Sequence, residues 1–265
     1  MTTVIITWHG PMVFNSGPVA VVTGAGRGIG RAIAIRLSSE GYRVGLTSRS
    51  EDELRETARL CSGETLVHPE DITSTDAIDR LFTAVEDVWG RIDALVANAG
   101  AGISAPLAKT TDEQWARMLD LNLTAPFRCI RRVAPGMVGR GHGRIVVVAS
   151  VAAKRGEPYI SAYTASKHGL LGVVRSAAAE LATKGVTVNA VCPGYVDTPM
   201  TERTVADIAE KTGRSPAEAR AALEAKQPNG RLVTVDEVVD AVWLCVTNPA
   251  LNGQGITIDG GGVQS

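Results

Sequence analysis

No charge of one sign dominates this chain: 27 Lys and Arg face 28 Asp and Glu over 265 residues, for a formal net charge of -1. The basic residues are dispersed rather than run together, so no long-range field exists to gather nucleic acid or an anionic lipid surface. Cysteine is scarce as well. Cys61, Cys129, Cys192 and Cys245 lie far apart, with no C-x-x-C pair and no nearby histidine set, which excludes a zinc site and leaves four buried thiols. Long hydrophobic runs are missing too, since no stretch reaches the roughly 20 apolar residues that cross a bilayer. Residues 1–17 contain Val4-Ile5-Ile6 but no basic n-region, full apolar segment or small-residue cleavage site. They are expected to form a loosely held extension of a soluble, cytoplasmic protein. Repeats and low-complexity segments are absent.

What is present is the balance of an ordinary globular chain, 45% hydrophobic and 21% charged, at a length where α/β folds still form one core. Residues 18–265 are therefore expected to form a single domain. Apolar runs predict strands at Val19–Val22, Arg43–Thr47, Thr65–Val67, Ala94–Ala97, Arg144–Val148, Val186–Val191 and Gly255–Ile258. Helical periods fill the gaps: Arg31–Leu37, Ser50–Leu60 with Ser50 as cap and Glu53 three residues on, Ser74–Trp89, one long helix over Asp112–Met137, then Ala162–Lys184 and Asp236–Thr247. This alternation predicts a Rossmann-like, doubly wound α/β sheet of seven parallel strands, because parallel neighbours need long crossovers and strands covered on both faces are uniformly apolar. Thr201–Gln227 breaks the rhythm, being polar, Ala-rich and helical between Pro199 and Pro228-Asn229-Gly230. An insertion at the carboxyl edge of the sheet lies where open α/β folds bind ligands, so residues 199–228 are expected to form a small helical substrate lid.

The first strand runs into Thr23-Gly24-Ala25-Gly26-Arg27-Gly28-Ile29-Gly30 and then a helix. Glycines there let the backbone turn tightly and approach a pyrophosphate, which gains from the free N–H groups of the helix N-terminus. The spacing of Gly24, Gly28 and Gly30 is G-x-x-x-G-x-G rather than the common G-x-G-x-x-G. At the end of the second strand, where an acid would hold the ribose 2′-OH of NAD, the chain has Ser48 and Arg49. A cation there, with Arg27 close by, accommodates a 2′-phosphate and favours NADPH over NADH.

Tyr163 and Lys167 stand four apart near a helix start and project from one face. A phenol of pKa near 10 is poorly matched to proton transfer at neutral pH, and a neighbouring ammonium stabilises the phenolate. The pair becomes a usable acid and base. Ser150 ends the fifth strand, at the edge where a cofactor crevice opens, thirteen residues before Tyr163.

With these residues in order, together with Asp71 after the third strand, Asn98-Ala99-Gly100, Asn122, and Pro193-Gly194 followed by Thr198, the chain resembles the short-chain dehydrogenase/reductase family. The resemblance runs from Val19 to Asp259-Gly260-Gly261. It implies that Tyr163 exchanges the proton of the substrate oxygen, that Ser150 orients that oxygen, and that Lys167 binds the nicotinamide ribose while lowering the Tyr163 pKa. Asn122 is implied to hold a water that relays protons from Lys167. Asp71 and Ile72 would flank the adenine and Asn98, Ala99 and Gly100 line the cofactor, with Pro193, Gly194, Val196 and Thr198 around the nicotinamide. Ala97 departs from the family, which usually has an Asn there that ties strands together.

Within the family the chain looks most like ketoreductases of fatty-acid and polyketide assembly. That implies reduction of a 3-oxoacyl thioester, carried on coenzyme A or acyl carrier protein, or of a polyketide-like ketone. Oxidation of a secondary alcohol (a sugar, a steroid or a hydroxyacyl-CoA) is the alternative, since fold does not separate the two. A non-catalytic cofactor-binding sensor is a further one, against which the intact Ser150, Tyr163, Lys167 and Asn122 argue. Lys154 and Arg155, in the loop between Ser150 and Tyr163, could receive a phosphorylated carrier or be solvated, and Tyr159, Tyr195 and Met200 could supply apolar walls. The two long helices carry more apolar and small residues than one core face needs, and the family builds subunit interfaces from them, so a homotetramer is expected, with a dimer next.

Overall fold

The computed structural model describes residues 5–7 and 17–264. Among these, β1 (Ile5–Thr7), β2 (Val19–Thr23), β3 (Arg43–Thr47), β4 (Thr65–Val67), β5 (Ala94–Ala97), β6 (Gly143–Val148), β7 (Val186–Pro193) and β8 (Gly255–Ile258) form one sheet. Its order is β1-β4-β3-β2-β5-β6-β7-β8. From β2 to β8 every pairing is parallel, as the alternation predicts. The eighth strand is a correction: Ile5–Thr7 pairs antiparallel with β4, Ile5 opposite Val67 and Thr7 opposite Thr65. A three-residue edge strand leaves a row of unpaired backbone groups, and a β-branched tripeptide is suited to cover them. The remainder of the expected extension lies outside the described residues.

The helices are α1 (Gly28–Ser39), α2 (Glu51–Leu60), α3 (Thr75–Trp89), α4 (Asp112–Leu119), α5 (Ala125–Arg140), α6 (Ser161–Leu181), α7 (Pro199–Thr212), α8 (Pro216–Glu224) and α9 (Val235–Thr247). Two cores follow from the pleat. Val19 and Val21 of β2 join Leu95 of β5 and Ile145 and Val147 of β6 under Phe82, Val133 and Leu170. The intervening Ala20, Val22, Val96, Val146 and Val148 pack on the other face against Ile33, Leu54 and Val242. Successive strand residues thus feed opposite layers, which is why these strands read as continuous apolar runs. All four cysteines are buried, and burial pushes the Cys129 thiol up to about 12.

Ser50 caps α2 by accepting from Glu53 N at 3.4 Å. The long helix expected over Asp112–Met137 is instead two, joined by a π-helical turn at Asp120–Thr124. Pro126 has no N–H, so the carbonyl four residues earlier, that of Asn122, receives no α-helical bond, and the wider turn absorbs the fault. The segment expected to form a lid folds as α7 and α8, whose Val205, Ala219 and Leu223 share a small core with Leu232.

Chain order reverses between β2 and β5: β3 and β4 lie to one side, β5 to β8 to the other. A crevice opens at such a switch point beyond the carboxyl ends of the strands.

Candidate active site

Around the switch point the backbone is packed too tightly for side chains. Gly24 has φ +67°, and a Cβ there would stand 2.9 Å from Ala99 Cα; on Gly30 it would meet the Gly24 carbonyl oxygen at 2.2 Å. Thr23 Oγ1 accepts from the N–H groups of Asn98 and Ala99, both at 3.1 Å. Asn98 Nδ2 donates to the carbonyls of Thr23 (3.0 Å) and Gly24 (3.3 Å). Asn98 therefore ties the exits of β2 and β5 together, beside an Ala97 that cannot.

α1 begins at Gly28 and Ile29 with Arg27 in the capping position, without a side-chain cap and without an acid in its first turn. Its N-terminal amides and dipole are left for an anion. A Cβ on Gly28 would meet nothing nearer than Thr198 and Pro199 at 3.9 Å, and an open cleft of about 540 Å³ lies between Arg27 and the start of α7, where Asp197 and Glu202 are both paired with Arg220. The residues present thus fit a dinucleotide phosphate group.

The two expected cations differ. Arg27 is held by Glu53 at 3.1 Å, a contact that sequence spacing does not show because it assigns Glu53 only to the Ser50 cap. Arg49 is exposed and makes no ion pair or hydrogen bond among the described residues, though its charge helps lower the Asp71 pKa after the larger effect of the Thr73 N–H. Ser48 donates to the Ser50 carbonyl at 3.3 Å, and Ile72, next to Asp71, is buried.

Lys167 is 4% exposed, and its Nζ donates to the Val148 carbonyl at 3.0 Å, which locks α6 to the end of β6. Burial lowers its pKa to about 8. Nζ lies 5.7 Å from the centroid of the Tyr163 ring. Burial pushes the phenol up, and a hydrogen bond with Ser150 works the other way. Lys167 is not among the groups that move the phenol in the free protein, where its ammonium is engaged by the Val148 carbonyl and desolvation disfavours the phenolate. Ser150 Oγ also accepts from Ala152 N at 3.1 Å, which orients the hydroxyl.

Asn122 is fully buried in the π-helical turn. Its Oδ1 accepts from Ala101 N (3.1 Å) and its Nδ2 donates to Ala101 O (2.9 Å) and to Met118 Sδ (3.5 Å), so the amide is held at both ends by the strand-exit loop. A Cβ on Gly100 would stand 2.8 Å from Asn122 Oδ1 and 3.7 Å from Lys167 Nζ, which puts all three residues at one point. Pro193 ends β7, and Gly194 N donates to the Ile258 carbonyl at 2.9 Å. Val196 bridges to Val233, and Thr198 caps α7 at 3.4 Å, so the β7 exit leads straight into α7.

Lys154 donates to the Gly255 carbonyl (2.6 Å) and Thr257 Oγ1 (2.8 Å), while Arg155 pairs with Glu157 (3.0 Å) and the Gly262 carbonyl (3.1 Å). Both are half-buried and tie the loop to the edge of the sheet, with the Arg155 side chain still 35% exposed. Among the described residues no cluster of His, Cys, Asp and Glu could hold a metal ion, and no helix is long and apolar enough to cross a membrane.

A doubly wound sheet with a glycine-lined crevice and a Ser, Tyr and Lys at its carboxyl edge defines a dinucleotide-type oxidoreductase. A model of the family described as short chain dehydrogenase matches residues 18–209, and the chain belongs to that family. It is 38% identical over 250 residues to a D-beta-hydroxybutyrate dehydrogenase of Rhizobium meliloti, covering 91% of this chain and 97% of that one. A 3-oxoacyl-[acyl-carrier-protein] reductase of Synechocystis sp. is 34% identical over 257 residues, covering 94% and 98%. A solved variant of the actinorhodin polyketide ketoreductase with NADPH superposes with a TM-score of 0.90 at 37% identity, covering 95% of this chain and 99% of that one.

Proposed function

We propose that this protein is an NADPH-dependent carbonyl reductase acting on a neutral ketone, a 3-oxoacyl thioester or polyketide-like compound, with Tyr163 as general acid. The observation that carries this is the pairing of an uncapped α1 N-terminus and an unengaged Arg49 with a Ser150–Tyr163 hydroxyl pair at the same sheet edge. Similarity to the actinorhodin ketoreductase with NADPH and to the acyl-carrier-protein reductase supports it.

NADPH, when bound, supplies the hydride. The phosphate loop from Thr23 to Gly30, with Ser48 and Arg49, would hold its adenosine end, Asp71 and Ile72 the adenine. Asn98, Ala99, Gly100, Pro193, Gly194, Val196 and Thr198 would line the remainder. Ser150 would hold the ketone oxygen, Tyr163 would release its proton to the developing alkoxide, and Lys167 would steady the site. The Asn122 carbonyl, denied its helical donor by Pro126, is suited to hold the water that returns protons. We further read residues 18–265 as one cytoplasmic catalytic domain with a lid at about 199–228. We propose a homotetramer built on α5 and α6, on whose neighbouring surface Trp115 and Phe127 remain exposed.

NADPH absorbance followed with acetoacetyl thioesters, cyclic ketones and secondary alcohols tests this. NADPH consumption with the first two is expected. Turnover of alcohols alone, with NAD+, would overturn it.

A further inference from the structure

Beyond the Ser150, Tyr163 and Lys167 group, one carboxylate whose charge reaches Tyr163 is almost entirely withdrawn from water. The Glu157 side chain is 11% exposed and lies in the loop that joins Ser150 to Tyr163. Its Oε1 accepts from Arg155 Nη2 at 3.0 Å and its Oε2 from the Tyr195 hydroxyl at 3.0 Å, with Lys226 Nζ 3.5 Å away. Lys226 donates in turn to the Tyr195 hydroxyl at 3.2 Å and lies 5.2 Å from its ring centroid.

These partners come from separate parts of the chain. Tyr195 follows Pro193-Gly194 at the exit of β7, and Lys226 follows α8 at the exit of the lid. Gln227 adds a second link, its Nε2 donating to the Tyr195 main-chain carbonyl at 3.2 Å. The Tyr195 ring packs on the lid core of Val205, Ala219, Leu223 and Leu232. Two residues after Glu157, Tyr159 has φ +69°, the left-handed region, and its carbonyl accepts from Ala105 N at 2.8 Å. The loop is thus pinned on one side to the β5 exit and on the other to the lid.

Glu157 is the buried end of this cluster and Lys226, 47% exposed, its solvent end, so the ion pair itself adds little net stability, whereas loss of the carboxylate leaves the Tyr195 hydroxyl without its acceptor. Such a cluster fixes geometry more than it holds the fold together. Its charges also reach the reacting phenol: Tyr163 is raised by Tyr195, Cys192 and Glu157 after the larger effect of burial, while Lys167 faces it from its own helix.

We propose that Glu157 is a positioning residue for the ketone: by clasping Tyr195 and Lys226 it holds the lid exit against the Ser150–Tyr163 loop and sets the width of the cleft above Tyr163. This rests on the carbonyl-reductase assignment for its kinetic consequence and is independent of it for the lid.

The test uses the full chain with Glu157→Gln, Lys226→Met and Lys226→Arg. Amide hydrogen exchange across residues 199–228 is expected to accelerate about ten-fold in the first two, with sheet amides unchanged, and to return to the wild-type rate in Lys226→Arg. For ethyl acetoacetate with saturating NADPH, Glu157→Gln should raise KM about ten-fold with kcat within about two-fold, whereas KM for 1-tetralone should fall. Loss of the Glu157 charge should also move the alkaline limb of the reductive pH profile to lower pH, a shift that a purely structural contact would not produce. Unchanged lid exchange in both disrupting variants overturns the clasp. Faster exchange with an unchanged KM ratio between the two ketones overturns the positioning role. If wild type reduces neither ketone, the carbonyl-reductase assignment fails while the exchange rates still decide the clasp.

Discussion

Lys167 Nζ and the Val148 carbonyl are joined by a 3.0 Å hydrogen bond that crosses from α6 to the last residue of β6. Two residues beyond that carbonyl stands Ser150, and one helical turn before the ammonium stands Tyr163. A single contact therefore brings the strand end and the helix start into one site, and it does so by burying a cation.

That burial has a stability consequence. The Lys167 pKa falls from 10.5 to about 8 on folding, so between those values the unfolded chain binds more protons and wild-type stability rises with pH. Lys167→Met should accordingly stabilise the free protein at neutral pH by up to about 3 kcal/mol while abolishing turnover. Thermal melts should show the gap between variant and wild type closing from about pH 8 upward. A gap constant across that range would contradict the buried-ammonium account.

Tyr163→Phe should lower kcat by about two to four orders of magnitude, with NADPH binding by fluorescence retained. Burial holds the phenol above its usual range, so it stays protonated through neutrality. Reduction should be level from about pH 6 to 8, and oxidation, which needs the phenolate, should rise with pH over that interval. Wild-type-like turnover of Tyr163→Phe would remove the residue from the chemistry.

The unequal engagement of Arg27 and Arg49 separates their variants. Arg49→Ala should raise KM for NADPH about ten-fold and leave that for NADH unchanged. Arg27→Ala, which also frees Glu53, should affect both nucleotides and more weakly discriminate between them. Equal NADPH constants for Arg49→Ala and wild type would return the preference to another group.

Asn122→Ala strips both partners from the Ala101 backbone and should cost about 2 kcal/mol or more in denaturant melts, because buried N–H and C=O groups are left unpaired. Gly100→Ala keeps both partners present but sets a methyl 2.8 Å from Asn122 Oδ1, which must shift to make room. It should reduce kcat more than it reduces stability. The reverse ranking, with Gly100→Ala the less active-site-specific of the two, would show the π-helical turn to be scaffolding only.

The sequence by itself determined the seven parallel strands, the glycine loop, and the Ser150, Tyr163 and Lys167 spacing. All of these are written in local periodicity: apolar runs for strands covered on both faces, a strand-to-helix turn for phosphate, an i, i+4 pair for one helix face. What only the tertiary structure decided depends on residues distant in the chain. Ile5–Thr7 becomes a strand because β4 offers a bare edge. Lys154 closes onto β8 across a hundred residues of chain. Pro126 hints at a broken helix, but only Ala101 shows why Asn122 stays there. Glu157, Tyr195 and Lys226 carry no common motif, because a carboxylate, a phenol and an ammonium from three loops acquire a shared role only when folding brings them within hydrogen-bond reach.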